Sequence, residues 1–122
     1  MTKLFVVRED REQFDSGNLK KVLFNNPDVR DYKERTIGSA FQCSYSFKED
    51  FTLVRLDDTL STITLEGTGD SSLAIVVYLQ ESIATPLRMF GTNYNYDISV
   101  KLHCSISELR KAMDSELIEY RE

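Results

Sequence analysis

Cysteine is nearly absent: Cys43 and Cys104 are the only two, too few for a disulfide framework and too few thiolates for a zinc site. A reducing compartment fits that usage. Glycine and proline are scarce as well, at five and two residues, which excludes a collagen-like chain. With 41% hydrophobic and 29% charged residues the composition is that of an ordinary globular protein, not of a disordered one. No apolar run approaches the roughly 20 residues that cross a bilayer, and Met1 to Asp10 mixes charge with apolar side chains, unlike a signal peptide. A cytoplasmic protein away from membranes is expected. Basic residues are outnumbered, 15 against 20, for a net charge of -5. A phosphate backbone would meet net repulsion, so no nucleic-acid partner is expected. At 122 residues and 14.1 kDa the chain can bury one modest core, and residues 1–122 read as a single domain.

Strand patterns dominate what is present. Tyr94, Tyr96, Ile98, Val100 and Leu102 alternate with polar residues, predicting a strand with one buried face. Phe41, Cys43, Tyr45 and Phe47 alternate likewise, and Phe51 to Leu56 and Thr62 to Glu66 complete a three-strand antiparallel meander turned at Glu49-Asp50 and at Asp57-Asp58-Thr59. Leu4 to Val7 and Pro86 to Phe90 are further short strands. The apolar stretch Leu73 to Leu79 fits a helix capped by Asp70 or Ser71, although Ile75-Val76-Val77-Tyr78 would also suit a strand. Ser105 and Glu108 form a capping box ahead of a C-terminal amphipathic helix carrying Leu109, Ala112, Met113, Leu117 and Tyr120. Asn18 to Phe24 could add a short helix before Asn25-Asn26-Pro27. The expected fold is α+β, one domain with a mainly antiparallel β-sheet backed by two helices.

No catalytic constellation emerges. His103, the single histidine, adjoins Cys104, but neighbours on a strand point to opposite faces. Cys104 should face the core with Leu102, and His103 should face solvent with Lys101. Cys43 falls on the inward phase of its own strand, and both thiols read as buried structural groups. A Ser-His-Asp triad lacks a GxSxG elbow, and neither an HExxH motif nor an EF-hand loop is present to hold a metal. Gly67-Thr68-Gly69 could cradle a phosphate, yet Asp70 would oppose the anion and no GK[ST] lysine compensates. A tight strand-to-helix turn needing positive φ accounts for the glycines better. No enzyme activity, cofactor or metal is expected, and the acidic groups Glu9-Asp10-Glu12, Glu49-Asp50 and Asp57-Asp58 read either as solvated loop charge or as a face steering a basic protein.

From about Leu60 to Met113 the layout resembles small bacterial immunity proteins of polymorphic or contact-dependent growth-inhibition toxin systems. A strand ends in Gly67-Thr68-Gly69-Asp70, and an apolar segment closes on Leu79-Gln80-Glu81. Pro86-Leu87-Arg88 opens a strand, Asn93-Tyr94-Asn95-Tyr96-Asp97 starts another, and Ser107-Glu108-Leu109-Arg110 lies in the last helix. The resemblance implies a cytoplasmic, non-catalytic protein that binds and neutralises a cognate toxin domain, expected to be a basic, nuclease-type one. Asp57, Asp58 and Asp70, expected at one end of the sheet, with Tyr32 or Tyr94 as an aromatic anchor, would then form part of the toxin-facing surface. The alternative is a small adaptor or assembly subunit of a secretion or phage-related system. A third reading, a small hydrolase or isomerase, would centre on His103.

Overall fold

Alternate residues of every long strand disappear from solvent. Leu4 and Val6, Phe41, Cys43 and Tyr45, Val54 and Leu56, Ile63 and Leu65, and Leu87 and Met89 are all buried. In the computed structural model, which describes residues 3–34, 39–92, 96–103 and 105–120 (side chains to Ser115), these positions share one face of a seven-stranded sheet. The strands are β1 (Lys3–Arg8), β2 (Val29–Glu34), β3 (Ser39–Phe47), β4 (Asp50–Asp57), β5 (Ile63–Glu66), β6 (Leu87–Gly91) and β7 (Asp97–Ser99), ordered β2-β3-β4-β5-β1-β6-β7. Every neighbouring pair is antiparallel. The expected α+β domain and the central meander are present.

Three helices, not two, back the sheet: α1 (Ser16–Phe24), α2 (Asp70–Ser82) and α3 (Ile106–Tyr120). The optional helix at Asn18 to Phe24 forms because Asp15 Oδ1 accepts from the Asn18 N–H at 3.1 Å while Leu19, Val22 and Leu23 turn into the core. Helix α2 connects β5 to β6 across β1, and its residues Leu73 to Val76 are buried nearly all round, as befits a helix between a sheet and other helices. The Tyr78 hydroxyl donates to the Val22 carbonyl, tying α2 to α1. Helix α3 packs on α2 and β7 through Leu109 and Met113, its start capped by Ser105 Oγ accepting from the Glu108 N–H at 3.1 Å.

The strand expected to run to Leu102 stops short of it. Among the described residues Asp97–Ser99 pairs with β6, and Val100–Leu102 tightens into a 3-10 turn. That turn replaces a period of two with a period of three. Val100 therefore stays buried, while Leu102, expected inward, is 74% exposed and His103, expected outward, is half-buried. Cys104 and Tyr94 lie outside the described residues.

At the start of α2 the capping residue is neither Asp70 nor Ser71. Gly69 takes that backbone position without a side-chain bond, and Asp50 of β4 supplies the carboxylate instead, accepting from the Ser71 N–H and Oγ. Gly67, at φ +92, provides the left-handed turn expected between strand and helix.

Candidate protein-binding surface

The expected acidic site does not assemble. Asp57 ends β4, whereas Asp70 begins α2 beside Asp50, at the other end of the same strand. The length of β4, about 23 Å at 3.3 Å per residue, separates them. Asp57 is also fully occupied: its carboxylate accepts from the Ser61 and Thr62 N–H groups at 2.8 and 3.1 Å and from the Thr59 and Ser61 hydroxyls at 2.8 and 3.1 Å. Burial alone would raise its pKa, but these bonds hold the carboxyl below its usual value. It is a turn-building residue. Asp70 is exposed but ion-paired to Arg110 at 3.1 Å. Of the expected acids only Asp58 is exposed and without a partner among the described residues.

Tyr32 is not a free anchor either. It sits on edge strand β2, a strand the sequence reading passed over, with its ring against Phe24 (4.8 Å, edge-on) and Phe41 (5.5 Å). Its hydroxyl donates to Glu34 Oε1 at 3.0 Å, and burial followed by that carboxylate pushes its pKa up. Other acids are engaged in the same way: Asp10 with Arg8, Glu9 and Asp97 with Arg88, Glu34 with Lys20, and Glu66 with Arg55. Of the eight acids that the sequence singles out, five, Glu9, Asp10, Asp50, Asp57 and Asp70, are thus engaged in caps, turns or ion pairs.

What the strands present instead is an open face. The sheet surface opposite the helices carries a row of directly paired positions running Lys33, Gln42, Arg55, Thr64, Phe5, Phe90, Asp97. Phe5 and Phe90 stack at 5.4 Å, and Arg55 donates to Gln42 Oε1 at 3.0 Å and Glu66 Oε1 at 3.1 Å. A parallel row runs Arg30, Ser44, Leu53. Phe51, 67% exposed, and Leu53 line a shallow apolar depression of about 550 Å³ with Thr52, Glu66 and Gly67. A second depression of about 420 Å³ lies over Val7 and Phe90, rimmed by Arg11, Glu12, Arg88 and Asp97. The sequence signal for this surface was apolar residues on the outward phase, Phe5, Val7, Phe51, Leu53 and Phe90, where a solvated sheet face carries polar ones.

The edges are poor docking strands. β2 is interrupted by a register shift between Arg30 and Lys33, with Asp31 at φ +56, and carries alternating charge; β7 is three residues long. Both features discourage strand addition.

Two positions that could carry chemistry are already occupied. Burial pushes the Cys43 thiol up to about 12, which keeps it unreactive. The Asp50 carboxylate already takes up the Ser71 N–H and hydroxyl at the start of α2, where an anion would have to bind. Among the described residues no three His, Cys, Asp or Glu side chains converge as a metal group, and no helix is long and apolar enough to cross a membrane. The chain matches no protein-family model, and no curated protein or solved structure resembles it at a significant level.

Proposed function

We propose that the chain is an immunity protein that binds a cognate bacterial toxin domain in the cytoplasm and neutralises it by occupying its surface, without catalysis of its own. The observation that carries this reading is the open sheet face. One side of the sheet lies under three helices, and the other meets solvent with Phe51, Leu53 and the Phe5–Phe90 pair among polar side chains. An exposed apolar patch rimmed by polar groups is the surface form of a protein-binding site. The layout from Leu60 to Met113 that resembles immunity proteins lends it further support.

The test is rescue. A candidate toxin domain, sought in the gene adjacent to that of this chain, should arrest growth when expressed alone, and co-expression of this chain should restore it. Continued arrest with both proteins present would overturn the reading, and a requirement in complex assembly without protection would favour an adaptor.

A further inference from the structure

We propose that the open sheet face is the gripping surface and that it takes a partner patch combining an apolar side chain with carboxylates, not the basic patch that the net charge suggests. The inference rests on the immunity reading and names the contact chemistry of that same surface.

The open face does not share the acidic excess of the whole chain. Acids exceed bases by five in the whole chain. On the open face, however, the outward strand positions carry Lys3, Arg30, Lys33, Arg55 and Arg88 against Glu66, Asp97, Asp57 at the far end of β4 and, in the β2 bulge, Asp31. Two of those anions are already neutralised: Glu66 by Arg55 at 3.1 Å and Lys3 at 3.9 Å, and Asp97 by Arg88 at 2.5 Å. Asp31 takes a long bond from the Ser44 hydroxyl at 3.4 Å. Arg30 and Lys33 are exposed and have no ion pair among the described residues. Asp57, at the far end of β4, spends its carboxylate on its own turn, so the unspent charge at the β2 end of the face is cationic, on strand positions paired with Ser44 and Gln42.

Spacing fixes what fits. Arg30, Ser44 and Leu53 lie in one cross-strand row, so two inter-strand steps of about 4.8 Å, roughly 10 Å in all, separate the free guanidinium from the Phe51–Leu53 depression. An apolar side chain filling that depression, with a carboxylate about 10 Å away on the same partner surface, would exclude water from the apolar contact and pair the spare cations. A nucleic acid fits less well. Phe5 and Phe90 stack on each other at an interplanar angle of 25° instead of opening to receive a base, and the remainder of the molecule is acidic.

The experiment uses the full chain and the purified candidate toxin domain that the rescue test identifies. Arg30→Glu with Lys33→Glu, and separately Leu53→Ser, should each weaken binding at least about tenfold, the charge variant mainly through slower association at low salt. Asp58→Lys, on the opposite charge sign and off this face, should leave affinity within about twofold. Lysine acylation of the unaltered complex guards against misfolded variants: Lys3 and Lys33 should be protected by the partner, and Lys111 on α3 should stay reactive. Full affinity in the open-face variants, loss of binding in Asp58→Lys, or protection of Lys111 instead of Lys33 would each overturn the proposal. So would tight binding of a single-stranded oligonucleotide that the Arg30→Glu, Lys33→Glu change abolishes. A wild-type chain that neither binds the toxin domain nor rescues growth defeats the immunity reading and this inference together, whereas rescue that survives the open-face variants defeats this inference alone.

Discussion

Asp50 and Ser71, on β4 and α2, are joined twice: Asp50 Oδ2 accepts from the Ser71 N–H at 3.1 Å and from its hydroxyl at 2.7 Å. A residue 21 positions earlier in the chain thus performs the capping that helices ordinarily find in the preceding loop. The arrangement constrains Gly69, because a Cβ there would meet Asp50 Oδ2 at 2.7 Å. Asp50→Ala should cost about 1 kcal/mol of stability, the usual worth of a lost N-cap. Gly69→Ala should cost a similar amount by displacing the same carboxylate. Combined, the two should cost clearly less than their sum, since the second change removes a bond the first has already lost. Urea denaturation of the four proteins checks this, and full additivity would dissociate Gly69 from the cap.

The acid limb of stability should report the same carboxylates. The Ser71 hydroxyl and N–H hold Asp50 below its usual pKa, and Asp57 is lowered, against its burial, by the Thr62, Thr59 and Ser61 donors. A group depressed in the fold binds more protons when unfolded, so its stabilisation is complete above the unfolded carboxylate value of about 3.9 and is lost as pH falls through the lower folded value. Urea midpoints measured from pH 7 down to pH 2 should hold steady and then drop. Asp50→Asn with Asp57→Asn should flatten that drop, and an unchanged acid limb would assign acid sensitivity to other groups.

Period-two patterns were legible wherever a strand kept one face in the core, which is why β3, β4 and β5 appear in the sequence with their partners. β2 escaped notice because Val29 to Glu34 is an edge strand with a bulge and no run of buried residues. The β7 region misled for the opposite reason: Val100 and Leu102 keep the alternation on paper while the backbone turns into a 3-10 helix. Site residues were harder still. A count of acids says nothing about which carboxylates fold back to cap Ser71, brace the Thr59–Thr62 turn or pair with Arg110, and the first and last of these bonds join residues from different elements.

Tyr96 lies in the core at 5% exposure, and its hydroxyl has no hydrogen-bond partner among the described residues. Burial raises its pKa, with Arg110 acting in the opposite direction. An unsatisfied buried hydroxyl costs free energy that its removal returns. Tyr96→Phe should therefore leave stability unchanged or raise it by about 1 kcal/mol, within the range of such desolvation terms. Thermal and urea unfolding decide the matter: a loss of more than that amount would mean that the hydroxyl contributes an interaction in solution.

Gln80 closes the end of α2 onto β6. Its Nε2 donates to the Ile83 and Thr85 carbonyls at 3.2 and 3.1 Å, while its Oε1 accepts from the Leu87 N–H at 2.8 Å, all with the side chain buried. Gln80→Leu strands one donor and two acceptors and should cost about 1–3 kcal/mol at any pH between 4 and 8. Gln80→Glu keeps the acceptor but turns a carboxylate oxygen toward two carbonyls, so the folded state disfavours its ionised form. Its pKa should rise in the fold, and the penalty should grow as pH climbs through the unfolded glutamate value of about 4.3 toward the higher folded one. Protonated, the same group can donate to one carbonyl and recover part of the lock. Melting temperatures at pH 4 and pH 7 should then bring Gln80→Glu closer to wild type at the lower pH, with Gln80→Leu equally impaired at both. Parallel losses for the two variants at both pH values would show that the amide is valued for its shape and not for the direction of its hydrogen bonds.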